Sequence, residues 1–156
     1  MLPITDIIYN QEYAKRLYNE EGIFEDAWLR IITIGADFEK IYEAHINNIL
    51  ELIEKYSGYS WEEQAEDYIP IYMVYSAPSF AHPLTLTVNE EPLAMLEDFI
   101  RQLSHRNMYF GFPTQELSEK SLGLVTSHVM SDLKLKKLPQ SDWDLKKKTI
   151  KKYLNR

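Results

Sequence analysis

The stretch that decides the fold is PLTLTVNEEPLAMLEDFIRQLSH, residues 83–105. Its first part alternates leucine with threonine, which is the period-two pattern of a β-strand. Pro92 then suits the first turn of a helix, which we predict over residues 92–107. Apolar side chains recur along this helix at steps of three and four and predict one buried face, made of Leu93, Leu96, Ile100 and Leu103. The stretch is therefore a strand followed by an amphipathic helix.

The rest of the chain predicts mostly helices around a small sheet. A second strand is indicated by IPIYMVY from Ile69, and the prolines of SAPSFAHP favour a loop between the two strands. Gly35 is the weak point of the longest helix, because glycine inside a helix costs about 1 kcal/mol. The predicted helices cover residues 6–21 with Gly22 as a stop, residues 26–56, a short stretch opened by a Ser60–Glu63 capping box, residues 115–138, and a last helix begun by Ser141 or Asp142.

This pattern predicts an α+β fold, a helix-rich single domain with a small sheet. The charge divides the chain unevenly. Residues 134–156 hold nine Lys or Arg and two Asp, whereas the whole chain has a net charge of −7. We therefore expect an acidic globular domain over residues 1–138 and a basic helix over 139–156, either packed on that domain or free as a tail. Binding of nucleic acid is expected only through the basic segment 134–156, because the acidic domain repels polyanions.

Composition excludes several classes of function. The chain has no cysteine, so neither disulfides nor thiolate metal ligands are available. The first ten residues, MLPITDIIYN, lack the basic and apolar regions of a signal peptide. The longest nearly uncharged run contains several prolines and does not predict a membrane span. A soluble, cytoplasmic protein is the expectation.

The strand and helix of residues 83–105 resemble the core unit of zincin metallopeptidases, in which a strand bordering the cleft precedes a helix carrying His-Glu-x-x-His. By this resemblance Arg101 stands at the first histidine, Gln102 at the glutamate base, and His105 at the second histidine. His128 is the candidate for the later ligand, with Asp132 as its orienting carboxylate.

The resemblance covers about residues 83–133, and its substitutions imply that metal chemistry has been lost. Two histidines four residues apart can converge on one zinc ion, and the glutamate accepts a proton from the bound water. Arg101 stays positive and repels the ion, and Gln102 has no carboxylate. His105 and His128 are two ligands where zinc needs three or four. We therefore expect no catalytic residue, no metal ligand and no cofactor, with Arg101 as a structural cation in place of zinc.

A purely structural interpretation also fits these residues. Arg101 and His105 fall on the polar side of the predicted helix, where a histidine near the helix end interacts well with the last carbonyls. His45 lies on the apolar stripe of its helix and is expected in the core, and His82 is expected in a loop. The acidic residues of the run 62–67 could bind magnesium, but their closeness in sequence does not show that their carboxylates converge on one ion.

The expected function is that of a catalytically inactive zincin-like domain with a binding or regulatory role, whose partner is an unknown protein or peptide. Two alternatives stay open. One is a small acidic interaction protein of unrelated fold, such as a toxin-neutralising or viral accessory protein. The other is a metal-dependent hydrolase or nuclease that uses acidic residues. The chain shows no phosphate loop, dinucleotide fingerprint or nucleophile motif.

Overall fold

The computed structural model describes residues 1–63, 67–109 and 119–135. Within these ranges four helices surround one small sheet, so the protein is a single α+β domain, as predicted. The strands are β1 (Ile4–Ile8), β2 (Tyr68–Val74), β3 (Phe80–Ala81) and β4 (Leu84–Thr87). The helices are α1 (Gln11–Leu17), α2 (Phe24–Ser57), α3 (Pro92–Met108) and α4 (Glu119–Asp132).

The sheet is mixed and has the order β1-β2-β4-β3. β1 and β4 flank β2 in parallel, with Ile4 beside Tyr68 and Tyr72 beside Thr85. β3 is the last strand on its side and pairs with β4 in antiparallel fashion. The edge next to α3 is therefore a short antiparallel strand.

The helices α2, α3 and α4 pack against one another, and α3 also covers β3 and β4. Phe99 of α3 lies at the centre of this contact, with its ring edge-on to Phe38 at 5.6 Å and to Tyr42 at 5.9 Å between centroids. Full burial of a large apolar side chain contributes about 1.5–3 kcal/mol, and Phe38 and Phe99 are both buried, so this contact stabilises the domain. Its packing fixes the position of α3, on which the candidate site lies.

The predictions for three central elements are confirmed. The strands around residues 69–74 and 84–87 form as expected, and the predicted helix 92–107 is α3. Three of the four side chains on its predicted buried face are fully buried, and Leu93 is the exception at 48% exposed. α2 runs through Gly35 without a break and ends at Gly58, whose φ of 77° closes the helix.

The predicted first helix, residues 6–21, is wrong at both ends. Residues 4–8 form β1, and only Gln11–Leu17 is helical. The segment ITDII supplies four β-branched residues that pair with β2, and Asn10 then starts α1 by accepting a hydrogen bond from the Tyr13 amide at 3.0 Å. Gly22 is not the stop, because Tyr18 has already turned to extended backbone.

Three further boundaries differ from the prediction. The short helix after Ser60 does not start as expected, because residues 61–63 form a turn in which the Ser60 hydroxyl accepts from the Glu62 amide at 3.1 Å. The loop between the predicted strands contains β3. α4 ends at Asp132, short of residue 138, where Lys134 adopts a φ of 62° and the amides of Lys134 and Leu135 close the last turn.

Residues 64–66, 110–118 and 136–156 lie outside the described residues. The predicted loop after α3, the start of the helix predicted from residue 115, and the predicted basic helix of 139–156 fall partly or wholly there. Among the helices of the described residues, none has the length and apolar character to cross a membrane.

Candidate functional site

The polar side of α3 faces β3 and α4 rather than open solvent. The Ser79 hydroxyl, at the start of β3, donates to the Asp98 carboxylate, and the Gln102 amide donates to the other oxygen of Asp98 at 3.3 Å. One turn later, the Arg106 guanidinium donates to the Ala81 carbonyl at 3.1 Å. The edge strand is therefore tied to α3 by side chains that the amphipathic pattern places on its polar face.

Arg101 forms an ion pair with Glu119 at the described start of α4. The Arg101 side chain is 28% exposed and crosses the α3–α4 contact close to Gly123, where an added Cβ would lie 3.9 Å from its Nη1. Glu119 is 89% exposed. Exposed ion pairs contribute about 0–1 kcal/mol, so this pair positions the guanidinium more than it stabilises the domain.

His105 is half-buried because the segment after β3 folds over it. The rings of His82 and His105 are nearly perpendicular at 5.6 Å between centroids, and Tyr109 lies 4.5 Å from His82. Burial lowers the pKa of His105, and the positive charge of Arg101 lowers it further. Both effects favour the neutral imidazole over the charged one.

His128 and Asp132 contact a different part of the molecule. His128 is fully buried on α4, with its ring 4.9 Å from that of Tyr56 at the end of α2. Asp132 accepts a hydrogen bond from the Tyr56 hydroxyl and lies 3.6 Å from the Lys55 ammonium. Burial first, and then the Asp132 carboxylate, raises the pKa of Tyr56. The described contacts of these two residues are therefore with α2, whereas those of Arg101 and His105 are with α4 and β3.

The donor set around Arg101 does not fit a zinc ion. A guanidinium and an amide occupy the positions where the resemblance requires an imidazole and a carboxylate, and neither Arg101 nor Gln102 can supply that chemistry. Among the described residues, no three His, Cys, Asp or Glu side chains are grouped so that they could hold a metal ion. We therefore derive no catalytic step through a metal.

A groove of about 340 Å³ runs between α3 and α4 beside the ion pair. α3 contributes Glu97, Asp98 and Arg101 to its wall, and α4 contributes Thr126 and Ser127. The groove is open to solvent, and most of the side chains that line it are polar. It can accept a polypeptide segment that brings hydrogen-bonding groups of its own.

Sequence reasoning missed several partners in these contacts. Ser79 and Glu119 were not singled out, and His82 was expected in a loop without a role. Tyr56 was expected only as an apolar stripe residue, yet its hydroxyl is the donor to Asp132. The sequence shows only that these side chains can form hydrogen bonds or ion pairs. It does not show their partners, because each partner is distant in sequence and is brought close by the fold.

No protein-family model, curated protein or solved structure matches the chain. The zincin resemblance therefore depends on the residues of the strand, of α3 and of α4 that are named above.

Proposed function

We propose that this protein is a zincin-like domain without metal-dependent hydrolysis that binds a protein or peptide in the cleft bordered by β3, α3 and α4. The observation that carries the proposal is the Arg101–Glu119 ion pair. A guanidinium at this position pairs with a carboxylate from the next helix, which is the behaviour of a structural cation.

The surroundings support a binding role. β3 is the last strand on its side of the sheet, and an extended peptide can add to such an edge through its main chain. The groove between α3 and α4 lies beside it and offers side chains of both signs, Glu97 and Arg101 among them. Main-chain pairing would supply affinity, and the groove would supply specificity.

Zinc content tests the loss of metal chemistry. Wild-type protein purified from zinc-supplemented medium should carry substoichiometric zinc by mass spectrometry of metals. The double variant Arg101→His/Gln102→Glu should gain zinc, because the new imidazole, His105 and Glu119 can then meet. Arg106→His is the matched control, because it adds a histidine that is not four residues from His105 and so cannot bind the same zinc ion. Stoichiometric zinc in the wild type together with peptide-bond cleavage would overturn the proposal.

A displayed library of extended peptides tests the binding role. Peptides selected on the wild type should lose affinity for Ser127→Arg, in which a long side chain fills the groove. They should retain affinity for Lys134→Glu, which alters an exposed residue beyond the end of α4. Equal affinity for both variants would place binding elsewhere on the protein and refute the cleft.

A further inference from the structure

One shoulder of α2 stays half-buried along its length. Ile34, Ile41, His45 and Leu52 follow one another at steps of seven, four and seven, so they lie on one side of the helix. They flank an apolar stripe of α2 that includes Phe38, which is 2% exposed, and on which His45 was predicted to lie in the core. The described elements cover the centre of that stripe and leave these four residues, the α2 shoulder, partly open.

A groove lies at each end of the α2 shoulder. The first has about 220 Å³ and is formed by Ile34 and Phe38 with Pro92 and Met95 at the start of α3. The second has about 390 Å³ and is formed by Leu52 with Leu133, just after α4. The shoulder connects the two grooves over 18 helical residues, or about 27 Å at 1.5 Å per residue.

The rims of both grooves are acidic. Asp37 and Glu90 line the first groove, and Glu51 and Asp132 line the second. Among the described residues that line the two grooves, Lys55 is the only cation, and it lies 3.6 Å from Asp132. Just outside the first groove, Arg30 pairs with Glu90 and Lys40 lies 4.0 Å from Asp37, but both pairs are exposed and can exchange with the charges of a partner. A partner that is apolar on one side and basic on the others would match this surface.

The chain itself leaves the described fold beside the second groove. Leu133 lines that groove, and Leu135, the last described residue, donates its amide hydrogen to the Met130 carbonyl. In the sequence that follows, Trp143, Ile150 and Leu154 are apolar residues spaced by seven and four positions. Most of the other residues between Trp143 and Leu154 are lysines. A helix of residues 139–156 would be about 27 Å long, which equals the length of the shoulder.

We propose that residues 139–156 dock on the α2 shoulder, running from the second groove towards the first. Trp143, Ile150 and Leu154 cover the apolar side chains, and the lysines lie over the acidic rims. Docking also keeps the basic face of this segment away from polyanions. The inference does not depend on the function proposed above, because the cleft beside β3 shares no residue with the two grooves.

Paramagnetic relaxation in the full-length chain tests this docking. The chain has no cysteine, so Arg156→Cys accepts a single nitroxide label. In a sample with labelled isoleucine methyls, the label should strongly broaden the resonances of Ile34 and Ile41. Ile150→Asp should release the segment and restore them, whereas Thr149→Asp, the same charge change one position round the helix, should leave them broadened.

Three outcomes would overturn the proposal. The first is a label that broadens no methyl of the α2 shoulder, and the second is broadening that survives Ile150→Asp. The third is broadening in a mixture of nitroxide-bearing chains with separate isotope-labelled chains, which would show that a second copy occupies the shoulder. If the shoulder methyls stay sharp in buffer and the segment binds added heparin, the first outcome holds and the segment is free to bind polyanions.

Discussion

The phenol ring of Tyr9 lies directly against the backbone of Gly35. A Cβ atom at position 35 would lie 2.5 Å from the Tyr9 hydroxyl oxygen and 2.8 Å from a ring carbon, closer than atoms can approach. Burial raises the pKa of Tyr9 to about 12, and the nearby Glu39 carboxylate adds to the increase. The glycine that weakens α2 as a helix is therefore what lets the segment after β1 pack on it.

Gly35→Ala should lower the free energy of unfolding by up to about 2 kcal/mol in urea denaturation, because overpacking costs about 1–3 kcal/mol and alanine recovers about 1 in the helix. In a Tyr9→Ala background the same substitution should instead stabilise the protein by about 1 kcal/mol. A stabilising effect of Gly35→Ala in the wild-type background would contradict the close contact.

Tyr56→Phe should destabilise the protein by about 1.5–3 kcal/mol, since it removes a hydrogen bond to the Asp132 carboxylate, which among its described partners then keeps the Lys55 ammonium. The ring contact with His128 is retained. Tyr68→Phe is the matched control, because the Tyr68 hydroxyl donates to Asp6 at 3.2 Å on the surface and its loss should change stability by about 0.5 kcal/mol or less. Equal effects of the two substitutions would refute a special role for the Tyr56 hydroxyl.

When His105 is followed by NMR, its pKa should be below the ordinary histidine value, because burial and the positive charge of Arg101 both lower it. Because its pKa is lower in the folded than in the unfolded protein, the unfolded chain binds the proton first as pH falls. This contribution should therefore reduce stability as pH drops below about 6.5 and level off below the folded pKa. Arg101→Gln should raise the His105 pKa part of the way, while Lys55→Gln should leave it unchanged.

The Arg101–Glu119 pair should show a coupling of about 0.2–1 kcal/mol in a double-mutant cycle of Arg101→Gln and Glu119→Gln. Glu119 is almost fully exposed, so the coupling should shrink as salt is added. The Arg30–Glu90 pair, in which both side chains are exposed, provides a comparison in the same chain. A coupling of several kcal/mol that ignores salt would mean that the guanidinium is buried with its partner in solution.

The elements with a clear period were predictable from the sequence. LTLTV alternates at period two and forms β4. The apolar residues of α3 recur at steps of three and four, and the helix forms with these residues facing the core. β1 was missed because Tyr13 and Leu17 continue a four-residue spacing back to Tyr9, which masked the strand-forming ITDII. β3 has two residues, which is too short to carry any period.

The candidate site was predictable only in part. The spacing along one helix placed Arg101, Gln102 and His105 near one another, because neighbours on a helix are fixed by its geometry. Their partners come from elsewhere in the chain: Glu119 from α4 and His82 from the segment after β3. Such pairings depend on how helices and strands pack, and one sequence carries no local signal for them.

The register of the sheet has a consequence for how the protein is made. Ile4 pairs with Tyr68 and Ile8 with Tyr72, so the whole of α2 is translated between β1 and the strand that pairs with it in the described sheet. While β2 is still inside the ribosome, the ITDII segment lacks the main-chain hydrogen bonds that join it to β2. The pairing of β1 with β2 can therefore form only after β2 has left the ribosome, and α2 has time to form first.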